Sequence, residues 1–247
     1  MEQNQKESMN FDVVIVGAGP SGLATAIKLA TLAKEQNKTL EICVLEKGAE
    51  VGAHILSGAV FEPQALTKLI PNWQELGAPV KTKVRNDEFM FLTTNKSFKL
   101  PTPSQMQNDG NYIISLSNLC KWLATYAENL GVQIFPGFAA TSAIYKNETS
   151  QSKDNIKSNP TPNNKVIGVS TQDVGIDKDG NKKPSFQPGI NLLAKYTVLA
   201  EGCRGSISKQ VIKSFNLDQN SSPQTYGLGI KELWEIPEEL HKPGTVV

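Results

Sequence analysis

The sequence has few of the residues that build disulfide frameworks and metal sites. Its 247 residues include 3 cysteines and 2 histidines. The cysteines, Cys43, Cys120 and Cys203, lie about eighty residues apart, a spacing that fits neither a disulfide scaffold nor a zinc knuckle. We therefore expect a reducing compartment and no metal ligands in this chain.

An excess of charge and long apolar runs are also lacking. The 25 basic residues nearly cancel the 24 acidic ones, so no global field draws the protein to nucleic acid. No apolar run approaches the ~20 residues of a membrane-spanning helix. Residues 1–10 contain two acidic residues and no apolar run, which is unlike a secretory signal or a mitochondrial transit peptide. We expect these ten residues to be disordered.

What is present is the pattern of an α/β domain. The chain is long enough, and with 39% hydrophobic residues apolar enough, to bury one large core or two modest ones. Residues 11–16 and 40–45 are short apolar runs typical of central parallel strands, with helical periodicity between them. Residues 117–131 predict a helix with Ser117 as its N-cap, and residues 132–135 predict a third parallel strand beside the first two.

A β-rich region follows the third strand. Residues 140–145 and 166–174 predict two strands, joined by the polar stretch 147–165, which has one aliphatic residue in nineteen. Such a stretch cannot repay the entropy of ordering by burial, so we expect a flexible loop at the tip of a hairpin. A further strand is predicted over residues 192–200 and a helix over residues 206–215.

A glycine-rich turn lies between the first predicted strand and the first helix. Its sequence, GAGPSG, fits the dinucleotide fingerprint G-x-G-x-x-G, and an acidic residue follows its last glycine by 24 residues at the end of the second strand. The glycines permit a tight turn, a close approach of backbone to a pyrophosphate and close packing of helix on strand. The acidic residue is positioned to accept a hydrogen bond from a ribose hydroxyl. The predicted dinucleotide-binding residues are Gly17, Ala18, Gly19, Pro20, Ser21, Gly22 and Glu46.

The residues alone do not decide whether the cofactor is FAD or NAD. An acidic residue at position 46 disfavours NADP. Three features favour FAD: the fingerprint lies near the N terminus, a long insertion separates the second and third strands, and a later strand ends in Ala200-Glu201-Gly202. That ending resembles the turn with which glutathione-reductase-like flavoproteins approach the flavin a second time, which implies that Glu201 and Gly202 contact the cofactor. The expected fold is α/β, a glutathione-reductase-like FAD-binding fold of the Rossmann type with an additional β-rich region.

Small residues follow Glu46 in the sequence. In a flavoprotein this segment passes over the pyrophosphate, and small side chains leave room for a bulky cofactor. The histidine within it is either a hydrogen-bond donor to the ligand or a structural residue of the turn. The predicted contacts from this loop are Gly52, His54, Ser57 and Gly58.

Residues 60–73 place apolar side chains at helical spacing. One interpretation is a helix that packs against the core. The other is a helix in the interface of a membrane, with Trp73 at headgroup depth and Lys68 on the wet face. The residues assigned to the membrane face are Phe61, Leu66, Leu69, Ile70 and Trp73.

Six ordered blocks of the chain resemble one family, the electron transfer flavoprotein-ubiquinone oxidoreductases. The resemblance implies that electrons pass from reduced electron transfer flavoprotein through FAD and a [4Fe–4S] cluster to ubiquinone. It also implies a monotopic protein on the membrane surface, which favours the membrane interpretation of residues 60–73. Because the sequence shows no transit peptide, we expect the cytoplasmic face of the bacterial inner membrane. The blocks are GAHILSGAVFEP (52–63), LPTP (100–103), GNYIISLSNLCKWLA (110–124), GVQIFPGFAA (131–140), DVGIDKDG (173–180) and AEGCRGSISKQ (200–210), with GLGIKELWE (227–235) and HKPGTVV (241–247) extending them.

The sequence does not supply everything that the family's reaction requires. A [4Fe–4S] cluster takes four thiolates, and three separated cysteines do not provide them. The Gly-Asp with which such flavoproteins return to the flavin does not occur in this chain. We therefore expect an N-terminal fragment of a longer protein, or a truncated reading frame, incomplete at its C terminus. Residues 11–247 then form an FAD-binding domain, and the quinone-binding and cluster domains are largely missing. The alternative is an intact chain that completes FAD binding with a partner subunit.

Two other functions stay open at this point. One is an FAD oxidoreductase of the monooxygenase or geranylgeranyl reductase type, although Glu201-Gly202 departs from the Asp-Gly of monooxygenases. The other is a flavin-binding module without turnover. No catalytic side chain is assigned in any of these cases, because the flavin carries the redox chemistry while the protein positions and tunes it.

Overall fold

The computed structural model describes residues 6–56, 58–147, 156–157 and 164–247. Its α-helices are α1 (Pro20–Glu35), α2 (Gln64–Leu69), α3 (Leu116–Asn129) and α4 (Ser206–Phe215). Its strands are β1 (Ser8–Val16), β2 (Ile42–Glu46), β3 (Ala59–Phe61), β4 (Thr82–Lys83), β5 (Asn86–Asp87), β6 (Phe89–Leu92), β7 (Ser97–Leu100), β8 (Tyr112–Ile114), β9 (Gln133–Pro136), β10 (Ala140–Asn147), β11 (Ile156–Lys157), β12 (Asn164–Thr171), β13 (Val174–Ile176), β14 (Lys182–Gln187), β15 (Asn191–Leu199) and β16 (Thr245–Val246). The chain divides into two compact units, unit 1 (Met1–His54 and Leu123–Gln224) and unit 2 (Ile55–Trp122 and Thr225–Val247).

Unit 1 is built on a seven-stranded sheet in the order β11-β10-β12-β15-β1-β2-β9. The strands β15, β1, β2 and β9 run parallel, whereas β12 and β10 continue the sheet antiparallel. The predicted third strand therefore lies beside the first two, which confirms the α/β prediction. Because parallel strands place their carboxyl ends at one edge, the loops after β1, β2 and β15 meet there.

The central strand β1 explains the core of unit 1. Val14 and Ile15 are fully buried, as expected for a strand covered on both faces. One face of α1 packs its small and aliphatic residues into the same core, including Leu23 and Ile27, which are also fully buried. The helix α4 covers the region of β10, where the Phe215 ring lies 6.1 Å from the Tyr145 ring.

Two predictions about irregular segments are corrected in part. Residues 8–10, predicted to be disordered, are the start of β1, because Ser8 to Asn10 pair with residues 191–193 of β15. The predicted hairpin of β10 with β12 is confirmed, but residues 156–157 of its expected flexible loop form β11, which pairs with β10. Residues 1–5, 148–155 and 158–163 lie outside the described residues.

Unit 2 contains a three-stranded antiparallel sheet in the order β3-β8-β4, the hairpin β6-β7, and β16 paired in parallel with β5. The predicted N-cap of α3 shifts by two residues, since Ser115 Oγ accepts a hydrogen bond from the N–H of Asn118 at 3.3 Å. No helix among the described residues has the length and apolar character needed to cross a membrane.

Residues 60–73 do not form the single helix that the sequence predicted, and contact of this stretch with a membrane stays a prediction. This stretch forms β3, the six-residue helix α2 and a turn, since Pro71 disfavours helical backbone at Ile70. Leu66, Ile70 and Trp73 are buried, and Phe61 and Leu69 are half-buried. The indole of Trp73 donates to Thr67 Oγ1 at 3.0 Å and packs edge-on against Tyr112. The alternative of a core-facing segment is therefore the one that the structure supports.

Candidate functional site

The loops at the carboxyl edge of the unit 1 sheet are joined by backbone hydrogen bonds. The N–H of Gly17 donates to the carbonyl of Leu45 at 2.8 Å, and the N–H of Ala200 donates to the carbonyl of Val16 at 2.8 Å. The fingerprint loop after β1 is thus held between the end of β2 and the end of β15. The structure brings together Gly17–Gly22, Glu46 and the turn at Glu201, as the sequence predicted for a dinucleotide site.

The three fingerprint glycines meet different surroundings. Gly17 has φ of +109°, and a Cβ there would collide with the carbonyl of Ala200. A Cβ at Gly22 would collide with the carbonyl of Gly17. A Cβ at Gly19, in contrast, would meet no atom within 4 Å. The packing of the chain itself requires glycine at positions 17 and 22, whereas at position 19 the space that glycine leaves open faces outward and fits an approaching phosphate.

The N terminus of α1 begins at this open space. Its N-cap is Gly19, Pro20 follows at the first helical position, and no side chain caps the helix. The N–H groups of an uncapped first turn, together with the positive end of the helix dipole, favour an anion. The glycine-rich loop and the N terminus of α1 together fit the pyrophosphate of a dinucleotide.

Glu46 lies at the end of β2, with its side chain 13% exposed. Its Oε2 accepts a hydrogen bond from the N–H of Ala18 at 3.1 Å, and its Oε1 accepts one from the N–H of Gly48 at 2.7 Å. The carboxylate therefore fixes the fingerprint loop to the loop after β2. An ionised carboxylate has about four acceptor positions, so capacity is left for ribose hydroxyls.

The loop after Glu46 is only partly placed at this site. Gly52 is buried and has φ of +89°, a backbone conformation that favours glycine. His54 is exposed, and its Nδ1 lies 4.0 Å from Glu46 Oε1. Gly58 belongs to unit 2 and has φ of +83°, and Ser57 lies outside the described residues.

The acidic residue of the turn after β15, Glu201, forms hydrogen bonds within the protein. Glu201 Oε1 accepts from the N–H of Ile207 at 3.1 Å, and Oε2 accepts from the N–H and the hydroxyl of Ser208 at 2.7 and 2.8 Å. The carboxylate thus caps α4, and contact of Glu201 with a cofactor stays a prediction. The backbone at Gly202, with φ of +79° and open space around it, is the part of this turn left to contact a cofactor.

Gly205 is a residue of this turn that the sequence did not single out. A Cβ there would lie 2.6 Å from Glu201 Oε2 and 2.7 Å from Ser208 Oγ, so only glycine leaves room for the capping carboxylate. The available signal was the spacing of an acidic residue four positions before a Gly-Ser pair that begins a helix.

The cysteines lie in three separate elements of the structure. Cys43 and Cys120 are buried in β2 and α3, and Cys203 is exposed in the turn after β15. Burial raises the pKa of the Cys43 thiol to about 12. Among the described residues, no group of three or more histidine, cysteine or acidic side chains is arranged to hold a metal ion.

A second surface, on unit 2, was not predicted from the sequence. The hairpin β6-β7 exposes aromatic and aliphatic side chains, among them Phe91 (57% exposed), Leu92 (70%) and Phe98 (50%). Two more, Phe89 and Leu100, form a pair across the hairpin and are also exposed. Phe91 pairs with Phe98, so these two side chains and the pair of Phe89 with Leu100 lie on one face of the hairpin, whereas Leu92 lies on the other face. Exposed apolar side chains that share a face are typical of a surface that contacts a protein or a membrane.

Comparison with known families and curated proteins agrees with the dinucleotide geometry. The family described as NAD(P)-binding Rossmann-like domain matches residues 15–78. The mitochondrial electron transfer flavoprotein-ubiquinone oxidoreductase of Dictyostelium discoideum is 51% identical over 98% of this chain and 38% of its own length. The electron transfer flavoprotein-ubiquinone oxidoreductase of Pseudomonas aeruginosa is 52% identical over 98% of this chain and 42% of its own length. The resemblance seen in the sequence is thereby confirmed, and the chain spans about two fifths of these relatives.

Solved structures support the fold alone. Thermovibrio ammonificans THI4 matches with a TM-score of 0.50 and 18% identity, over 82% of this chain and 61% of that one. The myxobacterial chondrochloren halogenase CndH, described as a variant of FAD-dependent halogenases, matches with a TM-score of 0.50 and 16% identity, over 81% of this chain and 39% of that one. Both are consistent with the Rossmann-type fold predicted from the sequence.

Proposed function

We propose that this chain is the FAD-binding portion of an electron transfer flavoprotein-ubiquinone oxidoreductase. The observation that carries the proposal is the open space at Gly19, which lies at the uncapped start of α1. The chain is also about half identical to proteins of that name over nearly its whole length. The site and the relatives point independently to a dinucleotide cofactor in an electron-transfer protein.

The residues of the site have distinct tasks in this proposal. The backbone of Gly17–Gly22 and the first turn of α1 hold the pyrophosphate. Glu46 accepts hydrogen bonds from ribose hydroxyls, since its position at the end of β2 and its free acceptor capacity suit that role. Gly52, His54 and the backbone of Gly202 lie on the route toward the rest of the cofactor, with Ser57 and Gly58 as the further contacts predicted from the sequence.

FAD supplies the acceptance and release of electrons when it is bound. In the full-length protein we propose reduced electron transfer flavoprotein as the donor and ubiquinone as the final acceptor, in agreement with the relatives' names. The family's [4Fe–4S] cluster is not assigned to this chain, because it requires four thiolates and Cys43 and Cys120 are buried apart in different elements.

We further propose that the protein contacts the membrane from the cytoplasmic face of the bacterial inner membrane through the hairpin β6-β7. Phe91, Leu92 and Phe98 are exposed at this hairpin, whereas the buried residues of 61–73 cannot serve. Each large apolar side chain that leaves water contributes roughly 1.5–3 kcal/mol, so a few such residues give peripheral binding.

Binding of FAD to the purified chain tests the proposal. We expect one FAD per chain, with no competition from NAD or NADP. Glu46→Gln should raise the Kd for FAD at least about tenfold, a loss of about 1.4 kcal/mol, because the amide loses an ionised acceptor. Glu41→Gln is the matched control, since Glu41 is an exposed carboxylate directly before the first residue of β2. Equal affinity of both variants, or NAD binding in place of FAD, would contradict the proposal.

A further inference from the structure

The segment from Tyr226 to Ile236 is the most exposed apolar part of unit 2. Leu228 is 95% exposed, Ile230 88%, Leu233 101% and Trp234 76%. Among the described residues this segment belongs to no strand or helix. Water-exposed apolar side chains in such a run are unusual for a stable monomer and mark a surface that is covered by something else.

The pattern of the segment is that of a β-strand. Apolar residues stand at alternate positions, which places them on one face of an extended chain. The one polar member of this face, Glu232, accepts a hydrogen bond from Trp234 Nε1 at 2.8 Å, as expected for residues two apart on the same side. The apolar members of this face, called here the even face, are Tyr226, Leu228, Ile230, Trp234 and Ile236.

One residue of the opposite face contacts unit 2. Lys231 Nζ donates a hydrogen bond to the carbonyl of Gly58 at 2.5 Å. The other residues of this face are Gly227, Gly229, Leu233 and Glu235, so Leu233 is its one large apolar side chain. The segment is therefore held through Lys231, while Leu228, Ile230 and Trp234 of the even face are exposed to water.

The length of the relatives indicates what covers the even face. This chain spans 38% and 42% of the two relatives compared above, so more than half of each lies outside it. A strand with one apolar face requires both a neighbouring strand and a core to pack on. The uncovered portion of the relatives is large enough to supply both.

We infer that residues 226–236 form a β-strand that pairs with a strand from the portion of the full-length protein outside this chain and buries its even face there. The contact is main-chain pairing with alternate side chains as anchors. A second copy of this chain and a lipid surface are the competing occupants. The inference does not depend on FAD binding, because it concerns unit 2 and its own packing.

Hydrogen–deuterium exchange measures the pairing directly. The samples are the 247-residue chain and the same chain extended with the portion of the Pseudomonas aeruginosa relative that it does not cover. We expect the amides of residues 227–236 to exchange rapidly in the chain alone and at least about a hundredfold more slowly in the extended protein. Fast exchange in both proteins would overturn the inference. The aligned segment of the complete Pseudomonas aeruginosa relative gives the same readout if the extended protein does not fold.

Two lysine substitutions test which face is buried. Ile230→Lys changes the even face and Leu233→Lys changes the opposite face, and both side chains are exposed in this chain. In the extended protein Ile230→Lys should lower Tm by several degrees and Leu233→Lys should leave it nearly unchanged, whereas neither should alter the Tm of the 247-residue chain. Equal effects of both, a dimer of the chain with protected amides at 227–236, or binding of lipid vesicles that Ile230→Lys abolishes would each overturn the inference.

Discussion

Glu201 shows how a residue at the site can act without touching a ligand. Its two carboxylate oxygens accept three hydrogen bonds from the first turn of α4, where the helix dipole also favours a negative charge. This arrangement fixes the turn that follows β15 beside the fingerprint loop. The Glu201 side chain therefore stabilises the turn that borders the site by binding the first turn of α4.

Glu201→Gln should consequently destabilise the folded chain. The amide keeps one acceptor but loses the charge at the helix N terminus, and we expect the free energy of unfolding to fall by about 1–2 kcal/mol. Urea denaturation followed by circular dichroism measures this change. Glu128→Gln is the control, since Glu128 is exposed in α3, and its effect should stay within about 0.5 kcal/mol. Equal stability of the two variants would contradict the capping role.

Cysteine reactivity distinguishes the three thiols. Because burial raises the pKa of Cys43 to about 12, its thiolate is nearly absent at neutral pH, and Cys120 is also buried. We expect a thiol reagent such as DTNB to modify one cysteine per native chain and all 3 cysteines after unfolding. Cys203→Ser should abolish the reaction of the native chain. Rapid modification of two or three thiols in the native protein would show that the core around β2 is not closed.

At the scale of elements, the apolar pattern of residues 60–73 does not produce the amphipathic helix that it predicts. Apolar residues at spacings of three and four fit an amphipathic helix, but the same spacings arise in a short helix with a turn on each side. Pro63 and Pro71 bound α2 to six residues, and the apolar side chains then pack inward. The hairpin β6-β7, which no sequence pattern singled out, instead exposes large apolar side chains such as Phe91 and Phe98.

Vesicle binding tests the hairpin. Phe91→Asp should weaken co-sedimentation with anionic lipid vesicles at least about tenfold, because it replaces an apolar side chain by a charge at the contact. Leu217→Asp is the matched control, since Leu217 is 61% exposed and Phe91 57% exposed, and it should bind vesicles like the unaltered chain. Equal binding by the two variants would remove the hairpin from the membrane contact.

Other elements could be predicted well from the sequence, for physical reasons. The helix predicted over residues 206–215 is confirmed as α4, since apolar positions on one face and a glycine before its start leave little choice. Parallel pairing of β1, β2 and β9 followed from short apolar runs with a helix between them. The predicted N-cap of α3 was wrong because serines stand at positions 115 and 117, and the sequence pattern does not decide which of them precedes the helix.

At the scale of the whole molecule, the sequence predicts the class of site better than its internal contacts. The spacing from Gly22 to Glu46 was sufficient to place the loop and the carboxylate at one sheet edge. That Glu46 also binds the N–H groups of Ala18 and Gly48 depends on how two loops approach each other in space. No periodicity in a single sequence encodes such a contact.

The division of the chain into two units could not be predicted from sequence patterns either. The boundary between residues 54 and 55 falls inside one glycine-rich stretch, and the boundary between residues 122 and 123 falls inside α3. Neither has the proline-rich or polar composition of a linker. The predicted loop contacts Gly52 and His54 accordingly fall in one unit and Gly58 in the other.

The central claim is that the open space at Gly19 belongs to the pyrophosphate of FAD. Gly19→Ala tests it most directly, because Gly19 has φ of −79° and a Cβ there meets no atom within 4 Å. We expect the free energy of unfolding without cofactor to change by less than about 1 kcal/mol, while the Kd for FAD rises at least about tenfold. Gly22→Ala, whose Cβ collides with Gly17, should instead lower stability by about 1–3 kcal/mol. Unchanged FAD affinity in a stably folded Gly19→Ala chain would contradict the account.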